Sequence, residues 1–102
     1  MGELKYVKLS DEEISSELEK VSGWEIVDGQ LSKTFSFPTY LAGVDFAANV
    51  GQTAEAPNHH PDILVKWCKV RVSVNTHDVG GISPYDFELA RRVDALFEAG
   101  TG

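Results

Sequence analysis

The chain has 102 residues, 42% of them hydrophobic and 25% charged, with 16 acidic against nine basic side chains and a formal net charge of −7. That length supports a single modest core, about two thirds of the unfolded chain's surface being buried at this size, so one domain over residues 1–102 is expected. The charge opposes attraction to phosphate backbones, which argues against direct nucleic-acid binding. No apolar run nears the roughly 20 residues of a membrane span. The opening MGELKYVKLS lacks the apolar core of a signal peptide. Cys68 is the sole thiol, so no intrachain disulfide forms, and the expected compartment is the cytosol. The basic residues Lys66, Lys69 and Arg71, and the pair Arg91-Arg92, read as solvated faces rather than a polyanion site.

Ser10 followed by Asp11, Glu12 and Glu13 has the form of a capped helix start, and Ile14, Leu18 and Val21 recur at helical spacing before Gly23. The spacing predicts a helix over 10–22. Asp28-Gly29 lies between apolar alternations, Trp24 and Ile26 before it and Leu31, Phe35 and Phe37 after it, which predicts a hairpin. Pro38 closes the second strand. Tyr40, Leu41, Val44, Ala47, Ala48 and Gly51 then trace one side of a second helix that ends within Gln52–Asn58. Val70, Val72 and Val74 alternate with Arg71, Ser73 and Asn75 as a strand with its valines inward, and His77 falls in phase with the polar set if the strand continues. Residues 63–76 read slightly better as one long strand than as a hairpin, because Lys66-Trp67-Cys68-Lys69 offers no good turn residue. Ser83-Pro84-Tyr85-Asp86 supplies a cap, an N1 proline and a capping-box acid for a last helix, with Phe87, Ala90, Val93 or Asp94, and Phe97 inward and its end before Gly100. Helix, two strands, helix, one or two strands, helix is the pattern of an α+β fold with an antiparallel sheet.

All three histidines, His59, His60 and His77, stand between Glu55 and Asp86. Imidazole is the side chain whose ordinary pKa suits proton transfer near neutrality, so chemistry is sought in this window. Written out, it is Glu55, three residues, His59-His60-Pro61, five residues, Trp67, nine residues, His77, eight residues, Asp86.

That spacing, with the words AEAPNHHPD, KVRVSVNTHD and GGISPYDFELA in the same order, resembles the pterin-4a-carbinolamine dehydratases, a family that also includes a dimerisation cofactor of a homeodomain transcription factor. The resemblance covers at least residues 46–97 and implies four antiparallel strands with three helices on one face, ordered α-β-β-α-β-β-α. It implies dehydration of 4a-hydroxytetrahydrobiopterin or a related pterin to the quinonoid dihydropterin, without metal or cofactor. His59 and His77 match the positions of general acid or base, and His60 the position that binds and orients the pterin. Glu55, Asn58, Pro61, Trp67, Asp78 and Asp86 are the expected substrate-binding set: the carboxylates hold an imidazole tautomer or meet the pterin edge, Pro61 fixes the backbone, and Trp67 forms a stacking wall. A homodimer or homotetramer is the expected assembly, since a small sheet leaves an edge strand open. The chain departs from the family at Asn58, where some members carry aspartate, at Ile63, where animal members carry tryptophan, and at Trp67-Cys68, where tyrosine and a turn-forming asparagine are frequent.

Plainer readings compete. Asp86 sits where a capping-box acid belongs, Trp67 and Cys68 suit a core or an interface, Glu55 suits surface charge, and His77 a strand end. Three histidines and a carboxylate could also form an open zinc site, but adjacent histidines seldom bind one ion and no His-x-x-x-His spacing is present. A binding or assembly protein on the same fold is the rival from another class.

Overall fold

The structure, a computed structural model, describes residues 4–100; Met1–Glu3, part of the stretch read for a leader, and the last two residues lie outside it. Its elements are α1 (Asp11–Leu18), β1 (Glu25–Val27), β2 (Gln30–Ser36), α2 (Tyr40–Glu55), β3 (Asp62–Lys66), β4 (Lys69–Val74), a 3₁₀ turn (His77–Val79) and α3 (Pro84–Gly100). The strands form one antiparallel sheet in the order β1-β2-β4-β3. This is the α+β order that the resemblance implies.

Local chemistry explains most boundaries. Ser10 and Glu13 complete a reciprocal capping box at the start of α1. The helix stops at Leu18, short of the expected residue 22, because the next turn tightens to 3₁₀ bonds, Lys20 N–H to Glu17 O at 3.0 Å and Val21 N–H to Leu18 O at 3.2 Å. Gly23, at φ 84°, then turns the chain, while Val21 is still buried. Asp28 and Gly29 both take positive φ, 52° and 78°, as a two-residue hairpin turn of the I′ kind requires.

The buried face of α2 differs from the expected one. Gly43, Phe46, Val50 and Ala54 face inward, whereas Tyr40 and Leu41 are 50% and 68% exposed. The large ring decides the rotation, since Phe46 lies 5.0 Å from both Phe35 and Phe37 and 5.9 Å from Phe97, centroid to centroid. Gly43 permits the close approach, because a side chain there would begin 3.3 Å from Val70 Cγ2. On α3, Val93 turns inward with Phe87, Leu89 and Ala90. Asp94 stays at the rim, accepting from Trp24 Nε1 at 3.0 Å and from Lys33 Nζ at 2.9 Å. The helix runs through Gly100, past its expected stop.

Residues 63–76 are a hairpin and not one long strand. Lys66 pairs with Lys69 across the turn Trp67-Cys68, and Cys68 supplies the left-handed residue at φ 59°. Val70, Val72 and Val74 face the core as expected. Strand β4 ends at Val74, so His77 lies not on the strand's polar face but at the start of the 3₁₀ turn.

A non-glycine residue in the left-handed region is strained, and Cys68 lacks the short polar side chain that relieves asparagine there. Cys68→Gly is expected to stabilise the protein by about 0.5–1 kcal/mol, read as a raised urea midpoint with unchanged m-value. A lowered midpoint would mean that the thiol's packing outweighs the backbone strain.

Candidate active site

The two adjacent histidines are placed by the way α2 ends. Asn58 takes φ 53°, its N–H donates to Glu55 O at 3.1 Å, and the N–H of His59 reaches back to Ala54 O at 3.1 Å. These are the two bonds of a Schellman closure, with asparagine in the left-handed position that glycine usually fills. The reversal sends consecutive side chains apart: His59 is 8% exposed, whereas the side chain of His60 is 51% exposed. Asn58, expected to contact substrate, has this helix-ending role in the chain itself. Pro61, half-buried, leads directly into β3.

His59 Nε2 lies 2.6 Å from Asp86 Oδ1, and Asp86 is fully buried. The other carboxylate oxygen accepts from the Thr76 hydroxyl at 2.8 Å and from the Ser83 backbone N–H at 2.8 Å. Because the Thr76 hydroxyl donates to Asp86, the 2.6 Å contact between Thr76 Oγ1 and Ser83 Oγ has serine as donor. Ser83 Oγ in turn accepts from the Tyr85 N–H at 3.2 Å. Among the described residues no buried side-chain polar atom lacks a partner. With the carboxylate accepting, His59 donates through Nε2 and keeps Nδ1 as its free acceptor. Asp86 is therefore both the capping-box acid of α3 and the residue that fixes the His59 imidazole.

His60 Nε2 meets Glu55 Oε2 in a pair open to solvent, both side chains being more than half exposed at 51% and 72%. His77 follows Thr76 directly, so it projects from the segment that touches Asp86. The segment is held by the Thr76–Gly81 bridge and by Gly80, which closes the 3₁₀ turn at φ 71°. His77 and its neighbour Asp78 are both exposed. His59 and Asp86 thus meet where the end of α2 approaches the start of α3, the His60–Glu55 pair lies beside His59 in sequence, and His77 lies one residue from Thr76, which bonds Asp86.

Trp67 does not join them within one chain. It sits at the β3–β4 turn, 79% exposed, so neither a core nor a wall beside its own histidines describes it. The whole of β3, roughly 15 Å of extended chain, separates it from Pro61. The ring recorded against an imidazole is Tyr85, 6.1 Å from His59 between centroids. Among the described residues, no three His, Cys, Asp or Glu side chains converge as metal ligands do. The bond from the Ser83 N–H to Asp86 is the expected capping box, whereas the role of Thr76 in holding Asp86 and the place of Tyr85 were not anticipated from sequence. A threonine hydroxyl next to His77, two residues past the last inward valine, is the signal that marks Thr76.

The family model described as pterin 4 alpha carbinolamine dehydratase matches residues 7–96. The chain belongs to this family. A protein of Mycobacterium tuberculosis (strain ATCC 25618 / H37Rv), named as a candidate pterin-4-alpha-carbinolamine dehydratase, is 41% identical over 91 residues, 89% of this chain and 97% of the relative. A Roseiflexus sp. (strain RS-1) protein with the same designation is 42% identical over 89 residues, 87% and 96% of the two chains. The crystal structure of a transcriptional coactivator/pterin dehydratase from Brucella melitensis superposes with a TM-score of 0.82 at 28% identity, over 93% of this chain and 99% of that one. The fold of this family and the buried His59–Asp86 pair are thus found together in one chain.

Thr76→Val keeps the shape of the middle link while removing its hydroxyl, leaving the Ser83 hydroxyl and the Asp86 carboxylate each one partner short. A loss of about 1–3 kcal/mol in urea unfolding is expected. A neutral substitution would show that water replaces the threonine without cost.

Proposed function

We propose that this protein dehydrates 4a-hydroxytetrahydrobiopterin, or a related 4a-hydroxytetrahydropterin, to the quinonoid dihydropterin, in tetrahydrobiopterin recycling. The observation that carries the reading is the His59–Asp86 pair, a buried imidazole held in one tautomer, with His60 and His77 exposed on the adjoining segments. In the reaction the C4a–O bond breaks, the leaving hydroxyl takes a proton and departs as water, and the neighbouring ring nitrogen gives up its proton as the C=N bond forms. His59, through Nδ1, and His77 take the acid and base roles. His60, steadied by Glu55, binds and orients the pterin, with Pro61 shaping the approach and Asn58 and Asp78 at its rim. A positioned acid or base of this kind contributes about 10²–10⁴-fold. No metal or cofactor enters this scheme. The reaction is assigned to the cytosol, in a single domain with no membrane or direct nucleic-acid partner; among the described residues no helix is long and apolar enough to cross a membrane. The active form is a homodimer or homotetramer, for which the exposed edge strand β3 offers a self-pairing surface.

A non-catalytic binding, assembly or transcriptional dimerisation role is the second reading, favoured by the Brucella relative being described as a transcriptional coactivator as well as a pterin dehydratase. The two readings separate in a stopped-flow assay that follows decay of 4a-hydroxytetrahydropterin generated by a phenylalanine hydroxylase. The dehydratase accelerates decay over the spontaneous rate, with EDTA present. His59→Ala and His77→Ala each lose about 10²–10⁴-fold while the oligomer survives. Folded wild-type protein without acceleration would favour the assembly role, and acceleration abolished by EDTA would return the histidines to a metal site.

A further inference from the structure

The start of α3 brings two consecutive side chains to His59. Asp86 bonds the imidazole and is fully buried, whereas Tyr85, about 100° around the helix from it, is half-buried. The Tyr85 ring lies 6.1 Å from the His59 ring between centroids, with 53° between their planes. That residue is held at both ends. Its backbone N–H donates to Ser83 Oγ at 3.2 Å, and its hydroxyl donates to Leu4 O at 3.3 Å. The second bond draws in the segment before α1, which is tied down again where the Leu9 N–H donates to Ile82 O at 2.7 Å. Between those ties Lys8 passes so near Gly81 that a side chain there would begin 2.9 Å from Lys8 Cε. Tyr6, on the same segment, sets its ring 4.8 Å from that of Tyr85, tilted by 46°.

Neither ring belongs to the hydrophobic core, and Tyr6 is 55% exposed. Two tyrosines packed on each other beside a buried imidazole leave aromatic surface open where a ligand of that imidazole would arrive. The Tyr85 hydroxyl is engaged by Leu4, so the ring has its apolar faces to offer rather than its polar tip. A flat heterocycle needs such a face, and Trp67 stands at the far end of β3. We infer that Tyr85, backed by Tyr6, is the stacking wall of the pterin site, with the heterocycle lying against Tyr85 as it meets His59. This rests on the dehydratase reading and adds to it two aromatic residues that the spaced motif does not contain.

The chain's three tyrosines, Tyr6, Tyr40 and Tyr85, supply the test and its internal control. Tyr40 opens α2, whose 16 residues set it about 24 Å from the histidines beyond the helix end. Whole protein carrying fluorotyrosine gives one fluorine resonance for each ring, assigned with Tyr6→Phe, Tyr40→Phe and Tyr85→Phe, and biopterin is titrated in. Biopterin is expected to move the Tyr85 and Tyr6 resonances and to leave that of Tyr40 in place. Imidazole resonances that respond while Tyr85 stays fixed overturn the wall alone, and so does a shift of Tyr40 as large as that of Tyr85. If neither imidazole nor tyrosine resonances respond, the pterin reading falls and the wall with it. Tyr85→Leu is expected to weaken biopterin binding about tenfold, and Tyr6→Leu about threefold. Tyr85→Phe keeps the ring without its bond to Leu4 and is expected to recover most of the affinity; a loss equal to that of Tyr85→Leu overturns stacking. In turnover the Tyr85→Leu defect is expected in KM. A fall in kcat with biopterin affinity intact would make Tyr85 a support for His59 and not a wall.

Discussion

The buried carboxylate of Asp86 is the constraint around which this end of the molecule is organised. A carboxylate removed from water without partners costs several kcal/mol, so the donors around it stabilise this end of the fold. Those donors come from three segments: His59 after α2, Thr76 after β4, and Ser83 before α3. One side chain therefore ties together pieces of chain 27 and ten residues apart. The proposed chemistry inherits that tie. His59 cannot rotate away without leaving Asp86 short of a bond, and His77 is anchored one residue from a hydroxyl in the same network.

Much of the fold was legible because its signals are local. Ser10 with Glu13, Asp28 with Gly29, and the alternating valines of β4 each specify geometry within a few residues, and each forms as its chemistry requires. The rotation of α2 was not legible: apolar residues lie on more than one side of that helix, and the choice falls to Phe46, whose ring partners come from β2, from Phe37 just beyond it, and from α3. The turn at Trp67-Cys68 was hidden for the opposite reason, since nothing local favours it. It is set by the pairing of β4 with β2 and by the bond from Phe37 N–H to Cys68 O at 2.9 Å, both long-range.

The site was legible as a list of residues and less so as an arrangement. The resemblance of the spacing to the family's pattern singled out Glu55, the histidines and Asp86 as candidates. The capping reading of Asp86 left room for a second role, and a carboxylate has two oxygens, one of which caps the helix while the other meets the His59 imidazole. The hydroxyl of Thr76 escaped notice because such residues are abundant, and only burial shows which of them matter.

The two ends of β3 differ in how completely one chain satisfies them. At the Asp86 end every buried side-chain polar atom of the described residues is paired. At the other end Lys66 and Lys69 oppose each other directly, Cys68 holds a left-handed backbone, and Trp67 stands 79% exposed. Like charges facing across strands, positive φ without glycine and an indole in water are each unfavourable. A sequence in which local choices agree with the global fold does not gather three such conflicts on one turn unless something outside the single chain relieves them.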